Sequence, residues 1–340
     1  MEDPSVDSDP KPLRSLLHRL GALNVPRGDG LAFVVLFSVV VFLVAVEATT
    51  GVLLALYYRP SVADANASVR FVVTDVEYGA LVRAVHHWAA HGLLVACGAT
   101  LAWAVLRRAY RAPNAFAWVC GVGVAFLAML ETATGAMLPW TRQSVIEAEI
   151  SSTLAGQVPV VGPLLRGLML GGSEPGDLAL ARILGVHAGA LPMALTFAVL
   201  LLALHAAGCT PRKASEQTIP LAPNAALRAS IAAAATVIVL LLLSSFRTPP
   251  LAASAEVARA SASGIKPSWF LAFMHQMLEA APARMIGIPS ASVITTALVL
   301  GFGAFALFPL VDRRGSRAMQ AVVLVALAAI VGGTIRALLS

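Results

Sequence analysis

The chain has 340 residues, of which 58% are hydrophobic and 12% are charged, and its mean hydropathy is +0.81. Soluble domains carry about 25% charged residues, so this composition excludes an ordinary soluble globule. The net charge of +6 does not indicate nucleic-acid binding, because the basic residues stand at the ends of apolar runs, where they face water or lipid headgroups. Long apolar runs without strand-length alternation disfavour a membrane β-barrel, and the sequence predicts an all-α, polytopic membrane protein.

Seven apolar runs reach about the 20 residues that a helix needs to cross a bilayer. In chain order they are Leu31–Tyr58, Gly79–Leu106, Ala115–Leu138, Ile183–Ala207, Ala226–Phe246, Ser290–Leu310 and Ala318–Leu339, here spans A to G. A polar, proline-containing stretch over 210–223 divides four spans from three, and no internal repeat stands out. We expect an N-terminal segment over 1–30 with an interfacial helix, a four-span domain over 31–210 and a three-span domain over 211–340.

The three cysteines lack Cys-x-x-Cys spacing, which indicates neither a disulfide framework nor a zinc site.

The loops between spans differ in length and charge. The connections B–C, D–E and F–G are short and basic, whereas C–D (139–182) and E–F (247–289) are long. Because basic loops stay in the cytoplasm, we expect a multi-pass protein of the cytoplasmic membrane with its N-terminus inside and both long loops outside. The acidic beginning, without an early apolar stretch, predicts no cleavable signal peptide. A functional site open to the outer face is expected.

Histidines inside the apolar spans are candidates for function, because ionisable groups are expensive in lipid. His86 in span B and His187 in span D stand near the outer ends of two spans that run in the same direction, so they lie at one depth. Two imidazoles at one depth can supply both axial ligands of a haem iron inside a helical bundle, although a hydrogen-bonded structural role explains each of them equally well. His91 lies about 140° round the helix from His86 and is predicted to be structural.

Two glycines and two glutamates stand at the same level as these histidines. Gly51 in span A and Gly135 in span C would let the backbone come close to a macrocycle, but helix packing alone would also explain them. Glu47 and Glu131 each precede one of these glycines by about one turn. A carboxyl group buried in lipid tends to stay protonated, so the two glutamates are candidates for catalytic proton transfer, with a hydrogen-bonded structural role as the alternative.

Three stretches of the chain share their order and spacing with one family. They are Tyr57-Tyr58-Arg59-Pro60 followed by Tyr78-Gly79-x-x-x-Arg83-x-x-His86; Thr134-Gly135-x-x-Leu138-Pro139-Trp140 followed by Arg182-x4-His187-x4-Pro192; and Pro267-Ser268-Trp269-Phe270. The first two resemble the cytochrome b subunits of quinol:cytochrome c and quinol:plastocyanin reductases, and the third is similar to the Pro-Glu-Trp-Tyr motif of that family. Four spans followed by three look like the plastid-type pair of subunits joined in one chain.

The resemblance implies a cofactor, a pocket and partners. His86 and His187 would ligate an outer, low-potential haem b, with Arg83 near its propionates and Gly51 and Gly135 against its ring. A quinol pocket would be formed by Pro139, Trp140, Pro267, Ser268, Trp269 and Phe270. The implied partners are a Rieske-type iron–sulfur protein, a c-type cytochrome and quinol in a lipid membrane, and a homodimer stays open.

The chain also departs from the family at both ends of the bundle. Family members carry a second pair of histidines about four turns further inward, where this chain has Thr100 and Leu201-Leu202. Phe37 stands where the family has a glycine, so we expect a single haem and an inner half filled by apolar side chains. Ser268 replaces the acid thought to take a proton from quinol, and a hydroxyl is not a base near neutral pH.

The leading interpretation is an electron-transfer subunit of a quinol-oxidising complex that retains only the outer haem. Such a chain is part of an oxidoreductase and not an enzyme alone. The alternative is a redox-silent, degenerate cytochrome b that serves as a structural or quinone-binding scaffold. A transporter is disfavoured, because no pair of interrupted helices stands at corresponding positions.

Overall fold

The computed structural model describes residues 24–26, 29–208, 218–220, 226–255, 268–313 and 315–339. Pro267, which the sequence assigns to the quinol pocket, lies outside these ranges, as does most of the expected interfacial helix. The described part of the chain is mostly helical, with four strands of two or three residues, which confirms the all-α class.

The helices and strands follow one another through the described part of the chain. The helices are α1 (Asp29–Ala55), α2 (Ala65–Thr74), α3 (Gly79–Leu106), α4 (Ala115–Met137), α5 (Arg142–Gly156), α6 (Gly162–Leu170), α7 (Asp177–Gly185), α8 (Leu191–Gly208), α9 (Ala226–Phe246), α10 (Trp269–Ala280), α11 (Ser290–Ala306), α12 (Phe308–Val311) and α13 (Arg317–Leu339). A π-helical turn, Val186–Ala190, joins α7 to α8. Two short antiparallel pairs complete the described elements: β1 (Asn24–Pro26) with β2 (Thr218–Pro220), and β3 (Arg284–Met285) with β4 (Ile288–Pro289).

Six helices of the described part are long and apolar enough to cross a membrane, and a seventh apolar helix, α11, is shorter. Two bounds differ by more than three residues from those expected. The fourth span begins at Asp177 instead of Ile183, because α7 runs through the π-helical turn into α8 without a break. The sixth ends at Ala306 after 17 residues, and α12 then starts with a proline in its first turn, a position that proline favours.

The first four spans form a bundle with one apolar core. α1 packs on α3, α3 on α4 and α4 on α8. The core contains Val40, Leu43, Ala89, Leu93, Cys97, Val124, Ala128, Leu195, Val199 and Leu240. Leu240 belongs to α9, which packs on α1 and α3, so the fifth span shares this core. The domain boundary at 210 stays a prediction.

A buried hydrogen bond joins the connection between α3 and α4 to the segment after α12. The hydroxyl of Tyr110, which is fully buried, donates to Asp312 Oδ2 over 2.5 Å. Burial, followed by this hydrogen bond, raises the pKa of Tyr110 to about 12. Burial alone would raise the pKa of Asp312, but hydrogen bonds from Tyr110 and from the backbone amides of Ser316 and Gly315 outweigh it and lower that pKa. The contact fastens the first bundle to the C-terminal helices.

Tyr110→Phe should lower the free energy of unfolding by about 1–3 kcal/mol, because Asp312 would lose a donor in a buried place. Asp312 has a lowered pKa, so its contribution is present above its unfolded pKa and is lost as the pH falls through the folded one. Tyr110 has a raised pKa, so its contribution is present below its unfolded pKa and is lost as the pH rises through about 12. Thermal unfolding of the detergent-solubilised protein, followed from acidic to alkaline pH, measures the loss of the Asp312 contribution at low pH and of the Tyr110 contribution at high pH. Tyr78→Phe, at a 71% exposed tyrosine, is the matched control, and equal losses in the two variants would contradict the assignment.

Candidate functional site

His86 of α3 and His187 of the π-helical turn face each other inside the bundle. Their ring centroids are 6.2 Å apart and their planes are nearly perpendicular, at 88°. A metal atom bonded at about 2 Å to one nitrogen of each ring would put the centroids about 6 Å apart. The structure therefore brings the two histidines together at a spacing that accommodates one metal atom between them.

The π-helical turn determines where His187 lies. Pro192 follows this turn and has no backbone N–H, so it cannot donate to the carbonyl group of Ala188. The helix widens before it, and the N–H of Leu191 bonds to the carbonyl group of Val186, five residues back. Single π-helical turns of this kind recur at functional sites.

His86 is held at Nδ1 by two side chains of α1. Nδ1 lies 3.1 Å from Glu47 Oε2 and 2.9 Å from Thr50 Oγ1. Thr50 donates its own hydroxyl proton to the carbonyl group of Val46 at 2.6 Å, so its oxygen can only accept from the ring. On this ground we assign the ring proton to Nδ1, which leaves Nε2 as the nitrogen able to bind a metal.

His187 is held in the same way by α4. Its Nδ1 lies 2.9 Å from Glu131 Oε2 and 3.2 Å from Thr134 Oγ1, and Thr134 donates to the carbonyl group of Leu130 at 2.8 Å. A carboxylate on the second ring nitrogen is the usual support of a metal-binding imidazole, because it fixes the tautomer and the ring orientation. Both glutamates thus contact the histidine pair, and their predicted role in proton transfer stays a prediction.

The two holding segments repeat one sequence pattern. Residues 47–54 read EATTGVLL and residues 131–138 read ETATGAML, which share Glu-x-x-Thr-Gly-x-x-Leu. Neither Thr50 nor Thr134 was predicted as a site residue, and the expectation that no repeat stands out was wrong. The repeat is detectable in the sequence by comparing spans A and C with each other, because identical residues at one spacing serve the same purpose on both sides of the site.

The glycine of each repeat lets an imidazole lie against the helix. A Cβ atom built on Gly51 would lie 3.3 Å from Cε1 of His86, and one built on Gly135 would lie 2.8 Å from Cε1 of His187. The second distance is too short for any real side chain, so α4 can hold the ring of His187 this closely only with glycine at 135. These contacts supply a reason for both glycines that does not depend on a macrocycle.

Apolar side chains lie in the inner half of the bundle. Phe37 packs against the bundle core and stacks on Phe33 at a centroid distance of 5.7 Å. The hydroxyl of Thr100 donates to the carbonyl group of Ala96 in its own helix, and Leu202 is buried. The apolar filling expected from the sequence stays a prediction, as does the number of haems.

The segment over 138–140 is held from three sides at one end of the bundle. Tyr58 donates to the carbonyl group of Leu138 at 2.8 Å, and Asn66 donates to that of Pro139 at 3.0 Å. The side chain of Trp140 is buried beside Leu180. The structure therefore fixes two of the predicted pocket residues, Pro139 and Trp140, in the connection from α4 to α5.

Arg83 lies near this end of the bundle but contacts another segment. Its guanidinium donates to the carbonyl groups of Pro249 at 2.8 Å and Pro250 at 3.3 Å. The residue therefore ties α3 to the chain that follows α9. The role with haem propionates that the resemblance implies for it stays a prediction.

The start of α10 lies against α3 through aromatic contacts. The indole N–H of Trp269 donates to His91 Nδ1 at 3.1 Å, and the ring of Phe270 lies 5.9 Å from that of Trp269 between centroids. His91 thus has a structural partner on another helix, in keeping with its predicted role. The contact places the beginning of α10 against a face of α3 that lies about 140° round the helix from His86.

Ser268 contacts the carboxylate of Glu147, which the sequence analysis does not predict as a site residue. Glu147 of α5 is 2% exposed, and its Oε1 accepts from Ser268 N at 3.1 Å, from Ser268 Oγ at 2.6 Å and from Gln143 Nε2 at 3.0 Å. The sequence marks Glu147 only weakly, because α5 lies in the loop between two spans and carries Glu149 two residues further on. Only the contact of Glu147 with Ser268, the N-cap of α10, separates the two glutamates.

Known proteins match the chain in sequence and in fold. Residues 30–208 match the family model described as cytochrome b/b6/petB. Cytochrome b6 of Oltmannsiellopsis viridis is 34% identical over 149 residues, which are 44% of this chain and 69% of that protein. Cytochrome b6 of Synechococcus elongatus is 31% identical over 156 residues, which are 46% of this chain and 73% of that protein. A structure of a hyperthermophilic respiratory Complex III superposes with a TM-score of 0.76 at 20% identity, covering 96% of this chain and 88% of that one.

The chain therefore belongs to the cytochrome b/b6 family, since the family model covers more than half of it. It is a multi-pass membrane protein of the cytochrome b kind found in bc-type complexes. Membership in this family implies haem b as a cofactor and electron transport as the general activity.

Gly135→Ala should weaken haem binding strongly, because the added Cβ would lie 2.8 Å from the His187 ring and push it aside. Gly51→Ala should have a smaller effect, since its Cβ would lie 3.3 Å from the His86 ring. Haem per chain after purification, determined from the pyridine haemochrome spectrum, measures both. Gly123→Ala in the same helix α4 meets no atom within 4 Å and is the control. Similar haem content in all three variants would show that the glycines do not position the rings.

Proposed function

We propose that the chain is the electron-transfer subunit of a quinol-oxidising complex and binds one haem b between His86 and His187. One observation carries this proposal: the two imidazoles lie 6.2 Å apart at one depth, and each is held at Nδ1 by a carboxylate and a hydroxyl. Such a pair fits a metal that needs one nitrogen from each side. Haem b, when bound, supplies one-electron storage at this level of the membrane.

The residues of this chain would act on the cofactor through position and charge. His86 and His187 would ligate the iron through Nε2. Glu47 and Glu131 would keep each ring in one orientation, and their carboxyl oxygens, which accept from Nδ1, would make both imidazoles stronger donors. Gly51 and Gly135 would leave room for the rings beside the helix backbones.

We infer that the inner half of the bundle holds no second haem. Thr100 and Leu202 offer no nitrogen to a metal, and Phe37 packs on the core where the family has a glycine. Neither a hydroxyl nor a hydrocarbon side chain is an ordinary haem ligand. An electron on the outer haem would then lack the usual inner acceptor within this subunit.

The quinol pocket is proposed at the outer end, between the connection from α4 to α5 and the start of α10. Its walls would be Pro139, Trp140, Pro267, Ser268, Trp269 and Phe270. The family relationship supports a Rieske-type iron–sulfur protein and a c-type cytochrome as electron acceptors. The short basic loops support a cytoplasmic N-terminus in the inner membrane and a pocket on the outer side.

A redox-silent scaffold is the second candidate function. It is favoured by the missing acid at Ser268 and by the missing inner ligands at Thr100 and Leu202. The retained pair, His86 and His187, with a carboxylate on each ring, favours electron transfer instead, because a scaffold has no need of two supported metal-binding nitrogens. The absorption spectrum of the purified chain separates the two functions.

His86→Ala and His187→Ala should each abolish the b-type spectrum, because each variant removes one of the two nitrogens that would hold the iron. The wild-type chain should contain about one haem. His91→Ala is the control: it should lose the hydrogen bond from Trp269, yet keep its haem. Reduced-minus-oxidised spectra with haem quantification provide the measurement. An unchanged spectrum in either of the first two variants would contradict the ligand assignment, and two haems per wild-type chain would contradict the single site.

Glu47→Gln and Glu131→Gln should each raise the haem midpoint potential by tens of millivolts. A carboxylate on Nδ1 strengthens the imidazole as a donor and favours ferric iron, and a tenfold change in the ferric preference corresponds to about 59 mV. Potentiometric titration of the haem spectrum measures the shift. Glu279→Gln removes the carboxylate of another pair, His275 with Glu279 at 3.5 Å, and should leave the potential unchanged. Equal potentials in all of these variants would show that the glutamates do not tune the site.

A further inference from the structure

A buried carboxylate lies next to the residue at which this chain lacks an acid. Glu147 follows the connection from α4 by about two turns of α5, on the buried face that also carries Ser144 and Ala148. Its Oε1 lies 2.6 Å from the hydroxyl oxygen of Ser268. Ser268 is the N-cap of α10, so the carboxylate reaches the start of that helix from a different segment of the chain.

Within the part of the chain that the structure describes, the partners of Glu147 are neutral. Its Oε1 accepts from one backbone amide, one hydroxyl and one side-chain amide, which belong to Ser268 and Gln143. Hydrogen bonds of this kind allow a carboxylate to be buried, but they do not cancel its charge as a lysine or arginine would. A carboxylate with such surroundings can accept a proton from a ligand that comes into contact with it.

We propose that Glu147 is the carboxylate that takes a proton from quinol in the outer pocket, in place of the acid that the chain lacks at Ser268. This proposal rests on the proposed quinol oxidation. In the step, one O–H bond of the quinol breaks and its proton forms a new O–H bond on Glu147. One electron leaves the quinol for the iron–sulfur protein. Ser268 acts through Glu147 as a positioning residue, because its hydroxyl and amide fix the carboxylate.

A capping role is the competing explanation, because Glu147 accepts from the amide at the start of α10. Glu147→Gln separates the two roles. The amide oxygen of glutamine can still accept from the amide and the hydroxyl of Ser268, so a cap would survive, whereas glutamine cannot take a proton near neutral pH. Glu149→Gln is the matched control, since Glu149 lies two residues further along α5 and is exposed.

The experiment measures reduction of haem b by decylubiquinol in the full-length chain within its membrane complex, by stopped flow over a range of pH. Glu147→Gln should slow the reduction about 10²-fold and flatten its pH dependence, with haem content unchanged. Glu149→Gln should match the wild type. The double variant, Glu147→Gln with Ser268→Glu, returns a carboxylate to the other side of the same contact and should recover most of the lost rate.

The outcomes separate this proposal from the proposed function. Wild-type rates and an unchanged pH profile in Glu147→Gln would overturn the role of Glu147 alone. A wild-type chain that holds haem and is not reduced by decylubiquinol would overturn quinol oxidation and the role of Glu147 with it. If Glu147→Gln lost its haem, Ser268→Ala would give the decisive comparison, because it removes the hydroxyl donor and keeps the carboxylate. A slower rate with a displaced pH profile would support the proposal, and a wild-type profile would overturn it.

Discussion

The contact between a carboxylate and an imidazole, made twice at one depth of the bundle, is the interaction on which the rest of this structure depends. Polar side chains inside a membrane need partners within the protein, because lipid offers none. Glu47 satisfies His86 from α1, and Glu131 satisfies His187 from α4. Each pair joins neighbouring helices and sets the rotation of each helix about its own axis. At this rotation the ring of His187 lies so close to the backbone of α4 that only glycine fits at position 135. The apolar core then only needs to fill the space that these contacts leave.

The end of the bundle that carries His86 and His187 is organised by hydrogen bonds between segments that are distant in sequence. Tyr58 and Asn66 hold the connection after α4, Arg83 holds the chain after α9, and Trp269 is held by His91. These bonds place α5 and the beginning of α10 next to each other, so that Glu147 meets Ser268. A carboxylate is therefore present at the end of the bundle where the motif itself has lost one, and it comes from a different helix.

The inner end is built on a different principle. Phe33, Phe37 and the buried leucines fill it by packing, and the hydroxyl of Thr100 is satisfied within its own helix. None of these side chains is an ordinary metal ligand. His86 and His187, in contrast, are each held at Nδ1 by a glutamate and keep Nε2 for a metal. The bundle thus divides into an outer half suited to a cofactor and an inner half suited to close packing, and electron transfer is proposed for the outer half alone.

The sequence by itself determined the membrane class, the positions of the spans and the common depth of His86 and His187, because run length and residue spacing fix these quantities along a helix. It also contained the repeat that includes Thr50 and Thr134. It could not determine which side chains meet across the bundle. The spanning helices are apolar on every side, so their rotation leaves no trace in the hydrophobic pattern. Only the tertiary structure therefore showed that Glu47 and Glu131 contact the histidines, that Pro192 is preceded by a π-helical turn, and that Glu147 and not Glu149 reaches Ser268 across 121 positions.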